Sequence, residues 1–164
     1  MNILEDLTWH LLEGEDNMRL YLSMAESLTN TDEIIAILSS RPANLTDRNG
    51  EVMFIYTLIP FIEPPEGQLM RFIPAIEKRA IYNVSQFRTQ LDIIGAINSF
   101  YEKEYNRNEI IELLGDNFVL FESETREKYI LRYALSHLNR DIMFYGLQYL
   151  GGGVYKLNLY FYPE

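Results

Sequence analysis

Cysteine is absent from the 164 residues, and that removes disulfides, thiol nucleophiles, zinc ribbons and iron–sulfur clusters together. A chain of this length buries roughly 70% of the surface its unfolded form exposes, so it needs no disulfide or structural metal to hold a core. The lack of cysteine fits a reducing compartment. Long apolar runs are missing too. The longest, Val52 to Ile62, is 11 residues and contains Thr57 and Pro60, whereas a membrane span needs about 20. The first residues, through Glu5 and Asp6, carry acid where a signal peptide carries base. A cytoplasmic protein with no membrane partner is the expectation.

Basic residues are outnumbered. Lys and Arg total 14 against 24 Asp and Glu, for a net charge of −10. Such a field repels nucleic-acid phosphates, whose binding rests on Lys and Arg, so no nucleic-acid partner is expected. Histidine is scarce, with His10 and His137 alone, and no Gly-x-Ser-x-Gly is present to place a serine nucleophile on a sharp turn. The one glycine run, Gly151-Gly152-Gly153, precedes a strand pattern instead of the helix N-terminus that a phosphate loop supplies. It reads as a flexible hairpin loop, or as a place where a partner's backbone can come close.

What the chain does have is unevenly distributed acid. Residues 1–33 hold Glu5, Asp6, Glu13, Glu15, Asp16, Glu26, Asp32 and Glu33 against Arg19 alone. Residues 34–85 and 117–164 are each balanced, and 86–116 hold six acids and three bases. Concentrated negative potential speeds encounter with a basic partner. The alternative is a solvated acidic face that aids solubility.

Apolar spacing predicts a first helix over 3–13, from Ile3, Leu4, Leu7, Leu11 and Leu12, and a second from Asp16 or Asn17 to about Leu28, with a strand over Arg19–Met24 as its alternative. Asn30-Thr31-Asp32-Glu33 is a helix start, since Asn30 can accept from an early backbone N–H; that helix ends before Pro42. Asn49-Gly50 predicts a hairpin turn, both residues tolerating positive φ. Strands are expected over Val52–Phe61, Gln68–Ile73 and Arg79–Val84. Ser85 is the expected cap of the clearest helix, with Phe87, Leu91, Ile94, Ile97 and Tyr101 on one side. A shorter helix capped near Asn106–Asn108 ends at Gly115. Four strands follow, over Phe118–Ser123, Lys128–His137, Asp141–Leu150 and Val154–Tyr162, with turns too short for crossovers. The expected architecture is α+β: N-terminal helices, an antiparallel sheet with a C-terminal four-stranded meander, and a central helix pair packed on one face. No repeat, linker or low-complexity stretch divides the chain, so residues 1–164 read as a single domain.

Three further constellations bear on chemistry. Asp47 to Glu51 has the look of a calcium loop, but aligning Gly50 with its obligatory glycine puts Leu45 and Tyr56 where acidic ligands belong. Asp6, His10 and Glu13 would share one face of a helix, yet the order His-x-x-Glu reverses the di-iron pattern, and no metal or other cofactor is expected. Carboxylate pairs for acid–base work exist among Glu13, Glu15 and Asp16 and among Glu122, Glu124 and Glu127, all in expected turns. Finally, tyrosine is dense in residues 117–164. There it either supplies interface area or simply suits strands. A last strand lying at the sheet edge, with Lys156 as its charged guard and Tyr160 and Tyr162 outside, would pair with another chain and make a homo-oligomer.

Size, acidity and element order are similar to those of small bacterial immunity proteins, secretion chaperones and phage-encoded inhibitors, with no motif shared and no residue carried over. The leading expectation is a non-catalytic, acidic protein-binding module that inhibits or shields a basic partner. Its contact residues are expected to be Glu13, Glu15, Asp16, Glu26, Tyr160 and Tyr162. The alternatives are a small carboxylate- or histidine-dependent hydrolase or transferase, and an assembly subunit, viral in one form, that pairs through edge strands.

Overall fold

The computed structural model describes residues 2–11, 17–58, 76–103, 106–114 and 142–161, without the side chains of 107, 110, 113, 114, 142 and 161. Among these residues seven strands form one sheet: β1 (Leu7–His10), β2 (Met18–Ser23), β3 (Glu26–Leu28), β4 (Glu51–Leu58), β5 (Ile76–Asn83), β6 (Ile142–Gly151) and β7 (Val154–Phe161). Among the described residues three α-helices accompany it: α1 (Thr31–Ser40), α2 (Gln90–Glu102) and α3 (Arg107–Leu114). The strand order is β3-β2-β1-β6-β7-β4-β5.

The N-terminal helices are replaced by strands. Leu7 and Trp9 are fully buried while Thr8 and His10 are half-buried, and Met18 and Leu20 are buried while Arg19 and Tyr21 are exposed. That is a period of two. Helical spacing accounts for Ile3, Leu4, Leu7 and Leu11 but leaves Trp9 off the apolar face, whereas a strand puts Leu7 and Trp9 on one side. Burial of the tryptophan therefore outweighs the local helical pattern. Trp9 meets Phe144 edge-on, with ring centroids 6.3 Å apart. The strand alternative for 19–24 is the one realised.

The sheet is mixed, not wholly antiparallel. β7 pairs with β6 antiparallel, and its first residues, Val154–Lys156, run parallel to Met53–Ile55 of β4. β7 is thus an interior strand, and the edges among the described residues are β3 and β5. Of the expected C-terminal meander, the β6–β7 hairpin is present; the strands expected at 68–73, 118–123 and 128–137, and the stop at Gly115, lie outside the described residues.

Local signals hold well elsewhere. The Asn30 side chain accepts from the Glu33 N–H at 3.0 Å, and α1 ends two residues before Pro42. Asn49 and Gly50 have φ of 54° and 82°, and Arg48 and Glu51 exchange both backbone bonds across them, the geometry of a two-residue turn. The Asp47 carboxylate, part of the apparent calcium loop, accepts from the Gly50 N–H at 2.7 Å. The cap of α2 differs from expectation. Ser85 lies in a short 3-10 turn, Val84–Gln86, and Thr89 caps α2 with Asp92, whose carboxylate accepts from the Thr89 and Arg88 N–H groups at 3.0 and 2.9 Å. Asn106 caps α3, accepting from the Glu109 N–H at 2.9 Å.

The core takes Ile34 and Leu38 from α1, Ile93, Ile94, Ile97 and Tyr101 from α2, and alternate residues of the strands, with Phe54 at its aromatic centre. The glycine run closes the β6–β7 hairpin, and what approaches it is this chain's own turn. A Cβ on Gly153 would lie 2.9 Å from the Arg48 nitrogen, and Met53 N–H donates to the Gly153 carbonyl. Among the described residues, no helix is long and apolar enough to cross a membrane.

Candidate functional site

Three sequence-expected contact residues, Glu13, Glu15 and Asp16, lie outside the described residues, as does Tyr162. Glu26 is exposed in β3, and Tyr160 is about half-exposed in β7. Three strands separate β3 from β7, so these two residues belong to strands roughly 19 Å apart by ordinary strand spacing. The fold does not bring them into one patch. Lys156 guards no edge: its ammonium reaches across β4 to the Glu77 carboxylate of β5 at 3.2 Å.

The helical face proposed for Asp6, His10 and Glu13 does not form. Asp6 precedes β1 and receives a bond from the Arg41 guanidinium at 2.8 Å. His10 is half-buried on β1 opposite Met143 of β6. No group of three metal-ligating side chains gathers among the described residues. His137 lies outside them.

Two surface features stand out from the rest. The first is the β2–β3 hairpin. Its strands are held by Leu20 opposite Leu28 and Tyr21 opposite Ser27, with an irregularity between Tyr21 and Ser23. Tyr21 faces outward in the regular alternation, and the irregularity after it leaves Leu22 in water as well, beside Met24 in the turn. Met24, at the tip, is fully exposed. Glu26 and, just beyond the hairpin, Asp32 and Glu33 are exposed as well. Sequence reading missed this tip because Met18, Tyr21, Leu22 and Ala25 fit a helical stripe and no glycine marks the turn. The available signal was the Met18-x-Leu20 alternation.

The second feature is an open groove of about 530 Å³ between β5 and α2. Tyr82, Phe87 and Phe100 give it aromatic surface, Leu91, Gly95 and Ala96 come from α2, and Gln86, Asp92 and Ser99 add polar atoms. The Tyr82 hydroxyl shares a 2.8 Å hydrogen bond with the Tyr56 hydroxyl, and Phe100 stacks flat on the Tyr56 ring at 3.7 Å. Burial pushes both phenols above their ordinary pKa, Tyr56 furthest. The Asp92 carboxyl is held below the usual range, first by the Thr89 N–H, and it therefore keeps its charge at neutral pH. Among the described residues no histidine lines the groove. A groove of this kind offers apolar area with a few fixed polar groups, which suits recognition of a side chain.

Comparison of the chain with protein-family models, curated proteins and solved structures finds no match.

Proposed function

We propose that this protein is a non-catalytic, acidic binding module whose β2–β3 hairpin docks on a basic protein surface, as an inhibitor or shield of that partner does. The observation that carries the reading is the hairpin tip itself. Tyr21, Leu22 and Met24 are held in water by a short, irregular ladder, beside the exposed carboxylate of Glu26. Large apolar side chains that gain nothing from the chain's own core are the anchors through which protein interfaces draw most of their energy. The surrounding acid contributes speed and orientation more than affinity.

The test is affinity capture from the native host followed by mass spectrometry, with two variants alongside the wild type. Replacing Tyr21, Leu22 and Met24 with serine should abolish recovery of the partner, because the anchors set the dissociation rate. Replacing Glu26, Asp32 and Glu33 with their amides should slow association and flatten its salt dependence. A partner recovered equally by the serine variant would overturn the hairpin assignment.

A further inference from the structure

We infer that Met24 is an oxidation site through which a peroxide releases the docked partner. The release rests on the hairpin being the docking surface; the selectivity of the oxidation does not.

Composition and exposure carry the inference. The chain has no cysteine, so its oxidisable sulfur is confined to six methionine thioethers. Met18 is buried in β2, at 2% exposure, and Met53 of β4 and Met143 of β6 are half-buried. Met1 and Met70 lie outside the described residues. Met24 has a relative exposure of 108%, so its own fold covers none of it. The turn does not use this side chain either. Ser23 pairs with Glu26, which leaves Met24 and Ala25 as the turn, and the Ala25 N–H donates to the Ser23 Oγ at 3.4 Å.

The chemistry is a single oxygen transfer from hydrogen peroxide. A lone pair of the Met24 sulfur attacks one peroxide oxygen. The S–O bond forms, the O–O bond breaks, and the second oxygen leaves as water with both protons. Sulfur gives up two electrons and the peroxide takes them. The product is a polar sulfoxide where a flexible apolar side chain stood. Burying that new acceptor in an apolar pocket of the partner is unfavourable unless a donor meets it. Oxidation at Met18 would instead disrupt the packing beneath β2. At Met24 it changes the docking surface and leaves the core alone, so binding responds and stability does not. Sulfoxide reductases restore the thioether, which makes the modification reversible.

The test has two readouts on the whole protein. Hydrogen peroxide is applied and then removed, and peptide mass spectrometry follows each methionine. Met24 should oxidise about tenfold faster than Met18 and ahead of Met53 and Met143, with the thermal melt unchanged. The treated protein is next used for capture from host lysate, and the proteins read are those that the wild type recovers and the serine variant of Tyr21, Leu22 and Met24 loses. Their affinity should fall about tenfold or more on oxidation. Treatment with both methionine sulfoxide reductases should restore it. Recovery by Met24→Leu, whatever its untreated level, should be the same before and after peroxide, and Met24→Gln should reproduce the loss without peroxide.

Equal oxidation of Met24 and Met18 would overturn the inference. So would full retention of those proteins once Met24 is oxidised, with the hairpin reading left standing. Identical recovery by wild type and the serine variant overturns the hairpin reading and the release together, while the oxidation rates still report the site.

Discussion

The hydroxyl oxygens of Tyr56 and Tyr82 lie 2.8 Å apart, one ring fully buried and the other half-buried at the mouth of the groove. The two ends of this bond are not equivalent. Tyr82→Phe leaves the Tyr56 hydroxyl buried without its partner and should cost about 1–3 kcal/mol, whereas Tyr56→Phe leaves Tyr82 able to meet water and should cost about 1 kcal/mol. The double phenylalanine variant should be less destabilised than the sum. Urea unfolding midpoints of the four proteins make the comparison.

The same pair predicts an alkaline limit. Both phenols are raised above 10 in the folded state, chiefly by burial. Between the unfolded and folded values the native protein keeps protons that the unfolded chain releases, so stability is full below about pH 10 and falls as pH rises beyond it. Absorbance at the tyrosinate band should show Tyr56 titrating only as the protein unfolds and Tyr82 titrating above the ordinary tyrosine value.

Asp92 works in the opposite direction. Its depressed carboxyl contributes above the ordinary value near 3.9 and is lost as pH falls through the folded value. Asp92→Asn should cost about 1 kcal/mol at neutral pH through the weakened cap of α2. It should also remove a small part of the acid-side slope in a series of melts from pH 2 to 7.

The triple glycine should be selective. Gly153→Ala meets the Arg48 nitrogen at 2.9 Å and must hold a φ of 77°, so a loss of about 2–3 kcal/mol is expected. Gly152→Ala shares the positive φ but has only the distal guanidinium of Arg48 near it, at 4.0 Å, and should cost about 1 kcal/mol. Thermal melts of the two variants separate close approach from backbone preference.

Trp9 is the sole tryptophan, fully buried against Phe144. Its emission should be blue-shifted in the native state and move to the red on unfolding, and Trp9→Ala should cost about 3–5 kcal/mol. An emission maximum like that of free tryptophan in native protein would contradict the strand placement of Leu7–His10.

Features set by groups a few residues apart could be read from the sequence alone. Asn30 reaches the N–H of Glu33, Asn49 and Gly50 need only their own φ angles, and the stripe through Leu91, Ile94, Ile97 and Tyr101 is a property of one helix. The hairpin of β6 and β7 belongs with these through the alternation along β7, where Tyr155 and Leu157 are buried, although an irregularity between Phe144 and Leu147 breaks the alternation of β6. The N-terminal strands, the interior position of β7, the exposed tip at Met24 and the groove beside Tyr82 were decided by the tertiary structure. Each depends on partners far along the chain: Trp9 on Phe144, Phe54 on Tyr155, Tyr56 on Tyr82 and Phe100. A short apolar run satisfies helix and strand equally until something distant offers it a surface, and the burial then gained is larger than the local preference it overrides.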